Sequence, residues 1–250
     1  MSITSPIDVH IWFQETEPLD GDSLAMADQV LSEQERTQRD CFRHPADQRD
    51  YTAAHSLLRR SLSKHDCSRK PSGWRFDKSV FGKPYIIKDD EKTPTIEFSL
   101  SHTRGLVACA VSLARVGIDV ERSRHGFDYE DIAHSNFSHN EIEALQQLPA
   151  YARNARVLEL WTLKEAFLKA IGRGLFLRLD SVWFELSPSG AIRLHAPGDV
   201  DTTSWKFALF MPHPEVWMAV AIESRDWPRV LLQGREMRET RNDGRSASAL

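Results

Sequence analysis

Two carboxylates lie two residues apart in an apolar stretch of the chain. Asp119 and Glu121 belong to the segment GIDVE (117–121), whose alternation predicts a β-strand. Residues two apart on a strand point to the same face, so these carboxylates repel each other unless a cation neutralises them. Mg²⁺ is suited to this, because it prefers oxygen ligands and keeps coordination positions open for phosphates. The pair therefore indicates either a magnesium site or a solvated strand end that pairs with Arg122 and Arg124.

The segment 153–174 has the clearest helical periodicity, and it offers side chains that could complete such a site. Glu165 and Lys169 are four residues apart, so they share one face of the helix. Glu165 also lies among Trp161, Phe167 and Leu168, where a carboxylate without a partner is costly. A third oxygen ligand with a lysine one turn away would suit phosphoryl transfer, because metal and ammonium together neutralise a diphosphate. A surface ion pair is the alternative interpretation.

Two further polar pairs have both a chemical and a local interpretation. Ser101 and His102 end the predicted strand 98–102 before a glycine turn. Adjacent strand residues point to opposite faces, so contact with a phosphate, or a turn with local hydrogen bonds, fits better than a hydrolytic triad. Glu141 follows Ser138 by three residues, which is a capping box, and that alone would explain this glutamate.

Composition narrows the class of protein. The 250 residues include 32 Lys and Arg against 36 Asp and Glu, and 41% are hydrophobic. This content excludes disorder for most of the chain, and no apolar run approaches the ~18 residues of a membrane span. The balanced charge argues against nucleic-acid binding, and three cysteines argue against a disulfide scaffold or a cysteine-rich zinc site. No secretory signal is visible, so the cytoplasm is the expected location.

Helices precede strands in each half of the sequence. We predict strands at 7–13, 98–102, 106–112 and 116–121, and helices at 31–44, 47–65, 138–148 and 153–174. Four more strands follow the last helix, at 181–186, 191–195, 204–210 and 216–222. No residue-level repeat is visible, so a duplicated architecture is only suggested. Residues 226–250 are predicted to form a disordered polar tail.

Five motifs in order resemble the 4′-phosphopantetheinyl transferase superfamily, and most closely its surfactin-synthetase-activator type. They are GKPY (82–85), FSLSH (98–102), GIDVE (117–121), FSHNE (137–141) and WTLKEAFLKAIGRGL (161–175). The resemblance extends from about residue 32 to residue 222, which is nearly the whole chain.

The resemblance implies an α+β fold of two similar α/β halves related by pseudo-twofold symmetry, with coenzyme A in the cleft between them. Residues 1–115 would form the side that binds the 3′-phosphate and adenine, and residues 116–225 the side that binds metal and diphosphate. The implied reaction transfers the phosphopantetheine arm of coenzyme A to a serine of an acyl- or peptidyl-carrier protein. It requires Mg²⁺ and releases adenosine 3′,5′-bisphosphate. Because one chain would hold both halves, a monomer is expected.

The resemblance also implies roles for residues of the C-terminal half. Asp119, Glu121 and Glu165 would bind the metal, and Lys169 would contact the diphosphate. Glu141 would be the base that deprotonates the serine. Lys164, beside a metal ligand, would contact the cofactor and help orient the nucleophile. Glu165 and Lys169 therefore join Glu141 as the predicted catalytic residues.

On the coenzyme A side, Ser101 and His102 would contact phosphates and Lys83 would lie beside the adenine. Arg49 would bind the 3′-phosphate. Family members usually carry two lysines for this phosphate, and the alignment places Glu35 and Gln38 at their positions. Either the helix is rotated so that Arg36 and Arg39, one residue along, take over, or the 3′-phosphate is held by Arg49 and His102 alone. We favour the second.

Two other functions use the same residues. A non-catalytic module would grip a carrier protein or nucleotide without transfer, and a metal-dependent nucleotide hydrolase would cleave coenzyme A without an acceptor. Carrier proteins are typically acidic, so a basic surface should receive them. The candidates for that surface, unless they are merely solvated, are Arg153, Arg156, Arg173 and Arg178.

Overall fold

The same succession of elements occurs twice along the chain in the computed structural model, which describes residues 7–90, 95–124, 126, 129–172, 178–187 and 189–233. The first succession runs from a strand through helices to a hairpin and two further strands. Its elements are β1 (Asp8–Glu15), α1 (Gly21–Asp28), α2 (Glu33–Asp40), α3 (Pro45–His65), β2 (Phe76–Lys78), β3 (Pro84–Ile86), β4 (Glu97–Thr103) and β5 (Leu106–Ser112).

The second succession repeats this order after a short connection. Its elements are β6 (Val116–Arg122), α4 (Glu130–Asn136), α5 (His139–Gln146), α6 (Ala150–Ile171), β7 (Trp183–Leu186), β8 (Ile192–His195), β9 (Trp205–His213) and β10 (Val216–Glu223). The prediction of an α+β fold with two similar halves is confirmed.

Each half contributes an antiparallel sheet with the same strand order. The orders are β1-β5-β4 and β6-β10-β9. Alternate side chains of these strands point inward and form one core between the two sheets, while the others pack under α3 in the first half and under α6 in the second. The inner core includes Val9, Ile11, Ala110, Ile118, Val120, Met218 and Val220. The layers are therefore helix, sheet, sheet and helix.

The predicted polar tail is wrong at its beginning. Residues Arg229–Gln233 form a further strand, β11, which pairs in parallel with β1. Arg229 donates two hydrogen bonds to the carboxylate of Asp8, at 2.9 and 2.7 Å, so the end of the second half is attached to the first. The segment RVLLQ is apolar enough to form a strand, but nothing in the local sequence indicates that it pairs with β1. The rest of the predicted tail, 234–250, lies outside the described residues.

The helix predicted at 153–174 is α6, shifted toward its N-terminus. It ends because Gly172 adopts a left-handed conformation, with φ 68°, which a residue without Cβ takes at no steric cost. Across the described part of the chain, no helix combines the length and the apolar character needed to cross a membrane.

Candidate active site

The seam between the two sheets is built from serine hydroxyls. β4 lies beside β6, and Ser99 Oγ accepts a hydrogen bond from Ile118 N at 3.0 Å. Two residues along, Ser101 Oγ accepts one from Val120 N at 3.3 Å. These side chains join two strands that belong to different sheets, and they bring the segment FSLSH (98–102) next to the segment GIDVE (117–121).

Gly117 allows α6 to pack closely on β6. A Cβ at this position would lie 1.9 Å from the carbonyl oxygen of Ala166 and 2.5 Å from the amide nitrogen of Ala170. Only glycine leaves room for the helix backbone at this distance. Asp119 and Glu121 follow Gly117 at intervals of two, so the strand alternation directs both toward α6, as the sequence predicted.

Ser101, Asp119 and Lys169 form one hydrogen-bonded cluster. Ser101 Oγ donates to Asp119 Oδ1 at 2.8 Å, and Lys169 Nζ donates to Ser101 Oγ at 2.8 Å and to Asp119 Oδ1 at 2.6 Å. Asp119 is 4% exposed, whereas the side chain of Lys169 is 31% exposed. The ammonium therefore connects a buried carboxylate to the surface, where a charged ligand could reach it.

Glu121 and Glu165 add unneutralised carboxylates beside Asp119. Burial, reinforced by the charge of Asp119, raises the pKa of Glu121 to about 7, although Trp161 Nε1 donates to its Oε1 at 3.0 Å. Burial and the same charge raise the pKa of Glu165. Lys169 opposes both effects only in part. The cluster thus holds more negative charge than its one lysine neutralises.

An oxygen-binding cation fits this cluster. Asp119 Oδ2 is buried and has no hydrogen-bond partner within the described residues, which is costly unless a ligand pairs with it. No three His, Cys, Asp or Glu side chains of the described chain already stand in an arrangement that could hold a metal ion. Lys169 neutralises Asp119 instead. The donors are all carboxylate oxygens, which suit Mg²⁺ better than zinc.

Glu141 and Lys164 lie apart from this cluster. Glu141 caps α5 by accepting from Ser138 N at 2.9 Å, and its other oxygen accepts from Phe184 N at 3.0 Å. Its carboxylate also pairs with Lys164 Nζ at 2.8 Å, and the two side chains are 1% and 0% exposed. Both side chains are buried, so neither can contact a ligand in this structure. The resemblance implied a proton acceptor and a cofactor contact, but the structure shows an internal ion pair instead.

Glu35, which aligns with a lysine of the family, makes its contacts inside the N-terminal half. Glu35 is buried, caps α2 and binds His55 and Arg59. Burial opposes its ionisation, but hydrogen bonds from His55 and Arg59 prevail and lower its pKa to about 2. Gln38 is exposed on the next turn. The side chain of Glu35 therefore points into the protein, although Glu35 aligns with a phosphate-binding lysine of the family.

The arginines that could hold a 3′-phosphate have different contacts in the structure. Arg36 and Arg39 both pair with Asp28 of α1. Arg49 Nε lies 3.5 Å from Asp50 Oδ1 and has no hydrogen-bond partner among the described residues.

The carboxylate of Asp50 accepts from Gly105 N at 3.4 Å, which brings Arg49 to the turn after β4. His102 is exposed just before that turn. Arg49 and His102 thus lie on either side of contacts with the same turn, whereas Arg36 and Arg39 are held by α1.

Lys83 lies at the edge of a cavity of about 670 Å³ between the β2–β3 hairpin, β4 and the end of α6. Its Nζ donates to Ala170 O at 3.0 Å and to Glu97 Oε2 at 3.3 Å, and burial lowers its pKa. Aromatic walls come from Trp74 and Phe98. Asp119, Glu121 and Glu165 are not among the residues that line this cavity.

The arginines expected to receive a carrier protein are mostly engaged within the chain. Arg153 donates to Leu148 O at 3.1 Å, and Arg156 pairs with Glu159 at 2.7 Å. Arg178 pairs with Asp180, and Arg173 lies outside the described residues. These contacts do not form an unpaired basic surface.

The sequence patterns assigned no role in the site to Gly117 or Trp161. The signal for Trp161 was available, because it precedes Glu165 by four residues and so shares its face of α6. The signal for Gly117 was not, because the close approach of α6 depends on tertiary packing.

Comparison with known proteins gives consistent matches. The family model described as the 4′-phosphopantetheinyl transferase superfamily matches residues 115–221. The 4′-phosphopantetheinyl transferase HetI of Nostoc sp. is 31% identical over 223 residues, which are 88% of this chain and 90% of that protein. A 4′-phosphopantetheinyl transferase of Bacillus subtilis is 30% identical over 196 residues, which are 74% of this chain and 84% of that protein. Among solved structures, a holo-(acyl-carrier-protein) synthase from Bacillus anthracis in complex with CoA aligns with a TM-score of 0.36 and 22% identity, over 44% of this chain and 96% of that one.

Proposed function

This chain belongs to the 4′-phosphopantetheinyl transferase superfamily, and from that premise we propose how its residues transfer the phosphopantetheine group of coenzyme A to a serine of a carrier protein. The chain is an enzyme of this class. The observation that carries the proposal is the cluster in which Lys169 joins Ser101 to Asp119, with Glu121 and Glu165 beside it.

Asp119, Glu121 and Glu165 would hold Mg²⁺. The unpartnered Oδ2 of Asp119 and the raised pKa values of the two glutamates, which follow first from burial, support this assignment. When bound, Mg²⁺ supplies a Lewis acid that offsets the negative charge of the diphosphate. The three carboxylates would determine the position of the ion, because β6 and α6 fix their backbones.

Lys169 would also bind the diphosphate. Its ammonium is partly exposed and is held by Ser101 and Asp119, so it is oriented before substrate arrives. Ser101 is buried and acts through Lys169 and Asp119. It is therefore a positioning residue in this proposal, whereas the exposed His102 would contact phosphate directly.

The serine of the carrier supplies the nucleophile. Its hydroxyl oxygen attacks the β-phosphorus of coenzyme A, the bond from that phosphorus to the nucleotide oxygen breaks, and adenosine 3′,5′-bisphosphate leaves. The hydroxyl proton passes to a carboxylate.

The nucleotide end of coenzyme A would be bound by the first half. Arg49 and His102 would hold the 3′-phosphate at the turn between β4 and β5. The adenine would lie against Lys83 in the aromatic cavity. Substrate would thus extend across the seam between the two sheets.

Mass spectrometry of a carrier protein tests the proposal. The protein is incubated with coenzyme A, Mg²⁺ and an apo carrier, and the carrier is expected to gain one phosphopantetheine group per serine site. Asp119→Ala should abolish the gain. Glu185→Ala, which removes an exposed carboxylate of β7, is the matched control and should leave it unchanged. Cleavage of coenzyme A without a carrier, or carrier binding without a mass gain, would overturn the proposal.

A further inference from the structure

The C-terminal half contains a buried ion pair that the proposed chemistry does not use. Beyond its contact with Glu141, Lys164 Nζ donates to the carbonyl of Leu179 at 2.8 Å and to that of Val182. All three donors of the ammonium therefore have acceptors inside the protein. The pair ties together the start of α5, the middle of α6 and the segment leading into β7.

The N-terminal half contains a second buried ion pair of the same design. Glu35 accepts from Ser32 N at 2.7 Å in a capping box, and it binds Arg59 Nε at 2.9 Å. Arg59 Nη1 also donates to the carbonyls of Pro71 and Trp74, at 3.1 and 2.9 Å. The arginine side chain is 2% exposed. This pair ties together the start of α2, the middle of α3 and the segment leading into β2.

The two ion pairs occupy corresponding places in the repeated succession of elements. The glutamate precedes its cation by 24 residues in the first half and by 23 in the second. In both halves the acceptor carbonyls belong to the first residue of a 3₁₀ turn and to the residue after it, and the turn, Pro71–Gly73 or Leu179–Ser181, leads into a hairpin. A residue-level repeat therefore exists, although Arg in one copy and Lys in the other conceal it in the sequence.

The N-terminal copy stands in a half without the carboxylate cluster. In the second half, the residue after Lys164 is the carboxylate Glu165. In the first half, the residue after Arg59 is Arg60, which donates to Ser56 Oγ and Met26 O. The strand that corresponds to β6 presents His10 and Trp12 toward α3, rather than acidic side chains. The ion pair thus occurs where no phosphoryl-transfer chemistry is proposed.

We propose that the units Ser32–Glu35–Arg59 and Ser138–Glu141–Lys164 are two copies of one latch, and that Glu141 and Lys164 are positioning residues for α6. Each latch fixes a long helix against its neighbours. The first fixes α3, which carries Arg49, and the second fixes α6, which carries Glu165 and Lys169. The activity readouts below rest on the proposed function, whereas the stability readout does not.

Matched variants of the two halves test the latch. Glu141→Gln and Glu35→Gln should each lower the unfolding temperature by a similar amount, about 6–20 °C, because each leaves a buried cation without its counterion. Glu141→Gln should lower kcat about 10-fold, with an unchanged KM for coenzyme A and an unchanged pH profile. Glu35→Gln should instead raise KM for coenzyme A about 10-fold and preserve kcat, since α3 carries Arg49.

Lys164→Arg keeps the test decisive if Glu141→Gln fails to fold. It introduces the cation of the first latch, so kcat should stay within about fivefold of the parent value, with the same pH profile. The proposal is overturned if Glu141→Gln unfolds at the parent temperature yet loses 100-fold in kcat together with the acidic limb of the profile. A 100-fold loss of kcat in folded Lys164→Arg would also overturn it. If the parent transfers nothing, the proposed function fails. The unfolding temperatures of Glu141→Gln and Glu35→Gln still test the latch, because they do not depend on activity.

Discussion

Replacing Glu121 by glutamine measures the electrostatic strain in the carboxylate cluster. Burial, with Asp119 nearby, raises the pKa of Glu121 from its ordinary value of 4.5 to about 7. One pKa unit corresponds to ~1.4 kcal/mol, so ionising this glutamate in the folded protein costs about 3 kcal/mol. Glutamine removes the charge, and its amide oxygen can still accept the hydrogen bond from Trp161.

The sign of the pH dependence follows from proton binding. The folded-state pKa is raised, so between pH 4.5 and 7 the native state holds this proton while the unfolded chain has released it. The contribution of Glu121 to stability is therefore fully present below pH 4.5 and is lost as the pH rises through 7. Without metal, Glu121→Gln should match the parent near pH 4.5 and exceed its free energy of unfolding by up to about 3 kcal/mol at pH 8.

Urea unfolding in EDTA at pH 4.5, 6 and 8 provides the assay. Glu185→Gln, on an exposed part of β7, is the matched control, and its difference from the parent should be small at every pH. Adding Mg²⁺ at pH 8 should stabilise the parent and leave Glu121→Gln nearly unchanged. A difference between Glu121→Gln and the parent that does not grow with pH would refute the reasoning.

Three further predictions concern metal, phosphate and packing. Asp119→Ala should lower kcat by at least about 100-fold while circular dichroism shows an intact fold, and near-normal turnover at millimolar Mg²⁺ would contradict the metal assignment. Arg49→Ala should raise KM for coenzyme A about 10–100-fold and leave dephospho-coenzyme A barely affected, whereas Arg36→Ala should cost much less. An equal loss in Arg36→Ala would favour the rotated helix. Gly117→Ala should destabilise the fold by about 3 kcal/mol or more in urea unfolding, because its Cβ would meet the Ala166 carbonyl at 1.9 Å. An unchanged unfolding midpoint would contradict this packing.

Local periodicity predicted most of the site. Alternation along β6 placed Asp119 and Glu121 on one face, and the i,i+4 spacing on α6 placed Glu165 and Lys169 together. The order of the five motifs resembled one family, and the comparisons place the chain in it. The assignments of residues to shared faces succeeded because they depend on neighbours within one turn or one strand, and the family resemblance succeeded because the order of motifs is a property of the sequence alone.

Tertiary structure decided the roles of the two capping glutamates. The capping box of Ser138 and Glu141 is local and was predicted from the sequence. The sequence also indicated that Glu35 departs from the family pattern. The cations that pair with these two carboxylates, however, come from another helix, 23 or 24 residues along the chain.

The amino-acid sequence by itself determined which residues share a face, because that depends on the repeat of a strand or a helix. It did not determine which faces meet. That depended on Gly117 admitting the backbone of α6, on serine hydroxyls joining β4 to β6, and on the C-terminal strand β11 pairing with β1. Each of these contacts joins segments distant in the chain, and its free energy exists only when the whole molecule has packed.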